Sequence, residues 1–339
     1  MDSQRLYIAL FALVALLAFS AVISLCIGPV NISIIDIIRL IWQRGDPDSI
    51  NAVILFDIRL PRLILAALVG AALAQSGVVM QGFFQNPMAD PYIVGVSSGA
   101  GLGATLAIWM GLDFWFYGLS GVGLLAFVGA LIVTAIVYLV SQRGGRLPIM
   151  LVLLTGVAIG ALTSALTSFL MVSAQGDLFD TQRILFWMMG SLASRRWEHV
   201  QVVWPQIVVG ALFLQWMARD LNLIIQGEEN ALYLGVDVER TKRLLLIGAS
   251  LLAAAAVSVS GIIGFVGLVV PHVMRLVVGP DNRRLMPASM LGGAILLVNA
   301  DLLARVVIEP AELPIGIITS LLGCPFFLYL LSRRRDIGI

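Results

Sequence analysis

Charge is what this sequence has least of. Of its 339 residues, only 12% are Asp, Glu, Lys or Arg, against roughly 25% in an ordinary soluble domain. Hydrophobic residues make up 60%, and the mean hydropathy is +0.99. A water-soluble fold would have almost nothing left to solvate its outside, so the bilayer is the expected solvent. The formal net charge is +1, and no basic tract marks a nucleic-acid partner.

The other scarcities exclude chemistry. Lysine occurs once, as Lys242 between Thr241 and Arg243. A Walker A loop needs Gly-Lys-Ser/Thr, because its lysine reaches the terminal phosphates, so this chain hydrolyses no nucleotide through a P-loop. Histidine occurs twice, as His199 and His272, neither with a metal-ligand neighbour four positions on; a helix-start packing role fits His272. The two cysteines, Cys26 and Cys324, lie far apart in apolar runs and read as packing residues rather than a disulfide or metal site. Gly121-Val122-Gly123-Leu124-Leu125-Ala126 matches a dinucleotide fingerprint only by letters: it sits inside an apolar run, with no acidic residue near 20 positions on.

Long apolar runs are what the chain does have. A spanning helix needs about 20 apolar residues. The runs at 6–28, 60–82, 92–111, 117–140, 148–173, 199–218, 241–263, 264–279, 286–308 and 314–332 predict about ten spans, the one at 264–279 short enough to be partial. Residues 6–28 exceed a signal-peptide core of about 7–15 residues, so they read as a retained first span. Residues 181–191 predict a short interfacial helix. The segment 29–58, with Asn31, Asp36 and Asp46-Pro47-Asp48, is expected along the surface.

Ten spans put both termini on one side. That side collects Arg5, Arg143, Arg146, Arg219, Arg240, Lys242, Arg243, Arg275, Arg283, Arg284 and Arg333-Arg334-Arg335. The other collects Arg39, Arg44, Arg59, Arg62, Arg183, Arg195, Arg196 and Arg305. The richer side is expected to be cytoplasmic.

An internal repeat is also visible. Ser76-Gly77-Val78-Val79, eleven residues before Pro87, matches Ser260-Gly261-Ile262-Ile263, eleven before Pro271. Both follow alanine-rich helices that open on arginines three apart, Arg59/Arg62 and Arg240/Arg243. The first helix is expected to run outside to inside and the second in reverse, as in transporters built on inverted repeats. Gly95/Gly99/Gly103 and Gly156/Gly160 have the spacing of close helix packing. Asp301, four residues before Arg305, is expected to pair with it on one helix face. A carrier coupled to protons or sodium would need a functional carboxylate inside a span; a membrane-embedded enzyme would need convergent His, Asp or Glu groups, which the spans lack.

The stretches RLPR at 59–62, SGVVMQGFFQNPMADPYIVG at 76–95, LYLGVD at 232–237, GFVGLVVPHVMRLVVGPDNRRLMP at 264–287, ADLLAR at 300–305 and ELPIG at 312–316 together resemble one family. It is the permease subunit of type II ABC importers for ferric siderophores, haem and cobalamin, the FecCD/BtuC-like permeases. The resemblance covers nearly the whole chain. It implies a single all-α permease domain of ten spans in the cell membrane and a homodimer with the pathway at its two-fold interface. It also implies two cytoplasmic ABC ATPase subunits that bind ATP and Mg²⁺, and an extracytoplasmic solute-binding protein. The permease itself would hold no cofactor. The implied cargo is a bulky metal chelate, with a small oxyanion such as molybdate as the alternative.

Roles can be placed by the same resemblance. The segment 219–240 would be the coupling loop that docks on the ATPase through Glu228, Glu229, Ala231, Leu232, Leu234, Gly235 and Val236. The two glutamates suit the first turn of a short helix and Gly235 its end. Arg59, Arg62 and Arg305 would meet acidic residues of the binding protein; arginines that snorkel at helix ends read the same way, and both roles can coexist. Asn86, Pro87 and Met88, with Ile149 and Met150, would form the cytoplasmic gate or simply pack. Ile149 and Met150 are apolar where some relatives carry small hydroxyl residues.

Overall fold

A computed structural model describes residues 3–42, 49–112, 114–116, 118–173, 178–308 and 310–334. Arg44, Asp46-Pro47-Asp48 and Arg335 lie outside the described residues, as do the side chains of Arg333 and Arg334.

The chain begins with α1 (Ser3–Cys26), the short α2 (Ile34–Trp42) and α3 (Ile50–Val53). One π-helical stretch, Ile54–Arg59, carries α3 without a break into α4 (Leu60–Phe83), giving a 34-residue rod from Ile50 to Phe83. The expectation that 29–58 lies on the surface is therefore corrected for its last nine residues. Their apolar side chains Ala52 and Leu55 are buried.

The predicted span 92–111 is two pieces, a 3-10 turn at Pro91–Val94 and α5 (Val96–Trp109), parted by Gly95 at φ +88°. A two-stranded hairpin follows, β1 (Trp115–Phe116) against β2 (Leu119–Ser120), with Trp115 opposite Ser120. Then come α6 (Gly121–Ser141), α7 (Ile149–Ser173) and α8 (Leu178–Met188). The next pair, α9 (Trp197–Trp216) and α10 (Ala218–Ile225), bends by 48° between its members. The chain ends with α11 (Glu228–Tyr233), α12 (Val238–Ser260), α13 (Val266–Val278), α14 (Asn282–Val306) and α15 (Ile315–Arg334).

Six helices are long and apolar enough to cross a bilayer, and the bent pair makes seven. The shorter apolar helices Val96–Trp109, Val266–Val278 and Ile315–Leu330 bring the count among the described residues to ten, the expected number.

Side-chain meetings fix the directions. Arg62 meets Asp301 while Gln75 meets Met286, so α4 and α14 are antiparallel. Gln75 donates to the Ala211 carbonyl, and Gly82 packs on Leu221 and Ile225, so α4 runs with α9 and α10. Gly210 lies against Leu252 and Gly248 against Leu214, so α12 opposes α9. It follows that α4 and α12 run in opposite senses, the inverted insertion read from the sequence. The two Ser-Gly pairs, however, are not equivalent in conformation. Helix α4 runs straight through Ser76-Gly77 to Phe83, whereas α12 ends at Ser260 because Gly261 turns left-handed at φ +70°.

Inside lipid the helices gain nothing from excluding water, so close packing holds them. A methyl on Gly70 would sit 2.2 Å from the Gly293 carbonyl oxygen, and one on Gly99 would sit 2.4 Å from that of Gly129. At Gly160 the nearest atom would be 3.8 Å away, so the packing read there is ordinary contact. The helices α4, α12 and α14 form the buried centre, while α1 and α7 turn Phe11, Phe19, Leu154 and Phe169 outward, as lipid-facing helices do.

Candidate functional site

The directions above leave the molecule with two ends. One holds the start of α4 and the close of α14, and there the three predicted arginines come together. Each is 5% exposed. Arg62 Nε donates to Asp301 Oδ1 at 2.8 Å, and its Nη1 to both Glu312 oxygens at 2.9 and 3.0 Å. Arg305 Nε lies 3.2 Å from Asp301 Oδ2, the expected i, i+4 pair, and its Nη2 donates to Ser24 Oγ at 2.7 Å. Arg59 donates to the Cys26 carbonyl at 3.2 Å and also to those of Leu25 and Val30. The first two belong to the last turn of α1, whose carbonyls have no partner within the helix. Two of the three guanidinium groups, those of Arg62 and Arg305, thus share two carboxylates, while Arg59 holds main-chain carbonyls. Their donors are engaged within the chain, and Glu312, 32% exposed at its side chain, is the cluster's outlet to the surface.

The opposite end carries the predicted coupling residues. Glu228 and Glu229 occupy the first turn of α11, and Gly235 follows it at φ +83°. Ala231 is wholly buried against Ile224 and Val238, which sets α11 on α10 and α12. Leu232, Tyr233 and Leu234 stand 58%, 89% and 66% exposed, an apolar knuckle with Glu229 and Gly235 also on the surface. Val236 is half-buried under it. The lone lysine was not singled out for this place by its sequence. Lys242, 4% exposed, puts Nζ 2.6 Å from Glu228 Oε1 and 3.3 Å from Glu239 Oε1. The other Glu239 oxygen accepts the Leu147 N–H at 2.7 Å. The knuckle is thereby tied to the turn that opens α7.

The predicted gate residues are not brought into one cavity. Asn86 and Pro87 line a cleft of about 360 Å³ with Gln81, His272 and Arg275. Met88, half-buried, donates its N–H to Asn86 Oδ1 at 2.9 Å. Neither Ile149, half-buried, nor Met150, 70% exposed, lines that cleft. His272 packs its ring edge-on to Phe326, centroids 6.2 Å apart. Before the cleft's next helix, Asp90 caps the 3-10 turn through the Tyr92 N–H at 2.9 Å, and burial pushes its carboxyl up to about 6.

A junction of broken helices lies between the ends, and the spacing of apolar residues gave no sign of it. Ser191 N–H donates to the Ser260 carbonyl at 2.7 Å, Ile315 N–H to Gly190 at 2.9 Å and Gly316 N–H to Met189 at 3.1 Å. The Tyr92 hydroxyl donates to the Ile263 carbonyl at 2.9 Å. Non-helical backbone at membrane depth persists only where protein satisfies it or where it borders a cavity, and here both hold. On one side is an apolar hollow of about 650 Å³ lined by Met188, Ile262, Gly264, Gly316 and Cys324. On the other is a cavity of about 540 Å³ walled by Trp115, Trp187 and Phe186, with Arg195 at its edge.

Comparison with known proteins gives a consistent picture. The model of the FecCD transport family matches residues 16–333. The cobalamin import system permease BtuC of Halobacterium salinarum is 51% identical over 86% of this chain and 77% of its own length. The hemin transport system permease HmuU of Yersinia pestis is 41% identical over 93% of each. A solved inward-facing conformation described as of the metal-chelate ABC transporter type superposes with a TM-score of 0.85 at 35% identity, covering 96% of this chain and 98% of that one.

Proposed function

Because this chain belongs to the FecCD transport family of ABC importer permeases, we propose that it is the membrane subunit through which a bulky metal chelate enters the cell: cobalamin, haem or a ferric siderophore. The solutes named for the two relatives, cobalamin and hemin, are both chelates of this bulk. Two copies form the pathway, two ABC ATPases bind ATP and Mg²⁺ on the cytoplasmic side, and an extracytoplasmic binding protein delivers the solute. The permease holds no cofactor of its own. It offers alternating access and takes its energy from the partners.

The observation that carries this reading is the knuckle Leu232–Leu234. Three exposed apolar residues stand on a short helix clamped to the α12 start and to the turn before α7, a handle by which a moving soluble subunit can pull on two spanning helices. The arginine end suits the binding protein, since its three cations against two carboxylates leave a surplus positive field that favours encounter with acidic lobes. Asn86–Met88 and Ile149–Met150 flank the exit on the ATPase side as separate elements of a gate.

The test is uptake by vesicles containing this chain, its ATPase and its binding protein. Uptake of one of the three chelates should require ATP inside and survive a protonophore. Uptake abolished by the protonophore with ATP present would overturn the reading in favour of an ion-coupled carrier, for which Asp301, held between two arginines, is a poor proton carrier.

A further inference from the structure

The cavity of about 540 Å³ beside the hairpin β1–β2 contains a cation whose bonding the fold leaves incomplete. Arg195 Nε is buried and has no hydrogen-bond partner. Its Nη1 lies 3.2 Å from His199 Nε2, while His199 Nδ1 already faces the Arg196 N–H at 3.3 Å. A neutral imidazole has a lone pair on only one ring nitrogen, so one of these two donors points at a nitrogen that cannot accept. Among the described residues lining the cavity none carries a carboxylate. Arg183, also on the wall, has Asp180 3.5 Å away. Burial pushes the Arg195 guanidinium down to about 10.

The walls define the rest of the ligand. Trp115, Trp187, Phe114 and Phe186 line the space, and the Trp115 ring stands edge-on to His199 with centroids 5.5 Å apart. The cavity falls within the usual range for small-molecule sites, roughly 300–1,000 Å³. A half-buried guanidinium on the wall, with its bonding incomplete and no carboxylate among the described lining residues, beside flat aromatic walls suits an anion carried on an apolar, planar body.

We propose that this cavity is a binding site for the carboxylate of an aromatic or amphipathic small molecule, with Arg195 as its counter-ion. This rests on the importer reading, because the carboxylate is taken to belong to the transported solute. The permease would then favour solutes with an acidic rim over neutral ones, a selection separate from that of the binding protein.

The probe is 1-naphthoate, with the uncharged 1-naphthalenemethanol as control, titrated against the purified full chain in detergent and followed by tryptophan fluorescence and calorimetry. Naphthoate is expected to bind saturably and more tightly than the alcohol, and Arg195→Gln to weaken naphthoate by roughly tenfold or more while leaving the alcohol unchanged. Arg195→Lys should retain part of the affinity, which shows that a weakened variant is still folded. Equal binding of acid and alcohol, or an unchanged naphthoate affinity in Arg195→Gln with normal thermal unfolding, overturns the proposal. ATP-driven uptake by the assembled complex is measured in parallel. A complex that transports while naphthoate fails to bind refutes this site and leaves the importer reading standing.

Discussion

At the scale of single residues, two prolines inside helices, Pro271 and Pro287, are points where the fold found substitute donors. Proline lacks an N–H and so frees the carbonyl four residues back. Pro271 frees Gly267, and Gln81 donates its amide to the Gly267 and Leu268 carbonyls at 3.3 and 3.2 Å. Pro287 frees Arg283, whose carbonyl accepts from Gln215 at 3.0 Å. Gln81 Oε1 in turn accepts from Arg275 Nη2 at 3.0 Å, so both ends of its amide are used. Gln81→Leu is expected to destabilise the chain by about 1–3 kcal/mol, the usual penalty for stranding buried polar groups; an unchanged thermal midpoint in detergent would contradict it. Asp90 supplies a pH test. Its folded carboxyl titrates at about 6 rather than 3.8, so the native state holds its proton more tightly than the unfolded chain. The associated stability is present in acid and is lost as the pH rises from about 4 to about 7. Asp90→Asn keeps the acceptor for the Tyr92 N–H and should flatten that part of the stability profile; a profile identical to wild type would count against it. Local spacing revealed the Asp301–Arg305 pair, but Arg62 reaches Asp301 across 239 residues of sequence and Glu312 across 250, which no periodicity can show.

At the scale of elements, the helices followed from composition and their interruptions did not. Apolar runs of membrane length mark α1, α6 and α7 to within a few residues. The break at Gly95 and the stop at Gly261 occur in runs as apolar as their neighbours; at the second, the Ser260 carbonyl accepts from the distant Ser191 N–H, a contact that local composition does not show. The coupling helix was legible through its two leading glutamates and trailing glycine, whereas the lysine clasp depends on where α12 begins. Two variants separate attachment from transmission. Leu234→Asp should abolish ATPase co-purification by placing a charge on the knuckle. Lys242→Met should leave co-purification intact and lower transport per ATP roughly tenfold, a coupling loss of ordinary size. If Lys242→Met transports at the wild-type ratio, the clasp transmits nothing.

At the scale of the whole molecule, opposed directions for α4 and α12 place the hairpin and the knuckle on opposite faces of the membrane. In a Cys26→Ser, Cys324→Ser background, Phe116→Cys and Tyr233→Cys occupy exposed positions on these two faces. An impermeant maleimide should label the first only from outside and the second only in inverted vesicles; labelling of both from one face would refute the topology. The arginine imbalance in the sequence assigns the knuckle's face to the cytoplasm, because it counts charge over all loops at once and is little affected by the misplaced helix ends.

The junction where α8, α12 and α15 break is wired mainly by amides and carbonyls, with the Tyr92 and Ser260 hydroxyls donating to the Ile263 and Gly261 carbonyls. Side chains bordering the hollows on either side contribute little to that wiring, so mutation can reshape the walls while the scaffold stays as it is. Lineages built on this frame can therefore change cargo by swapping a few surface contours, with no new architecture to evolve.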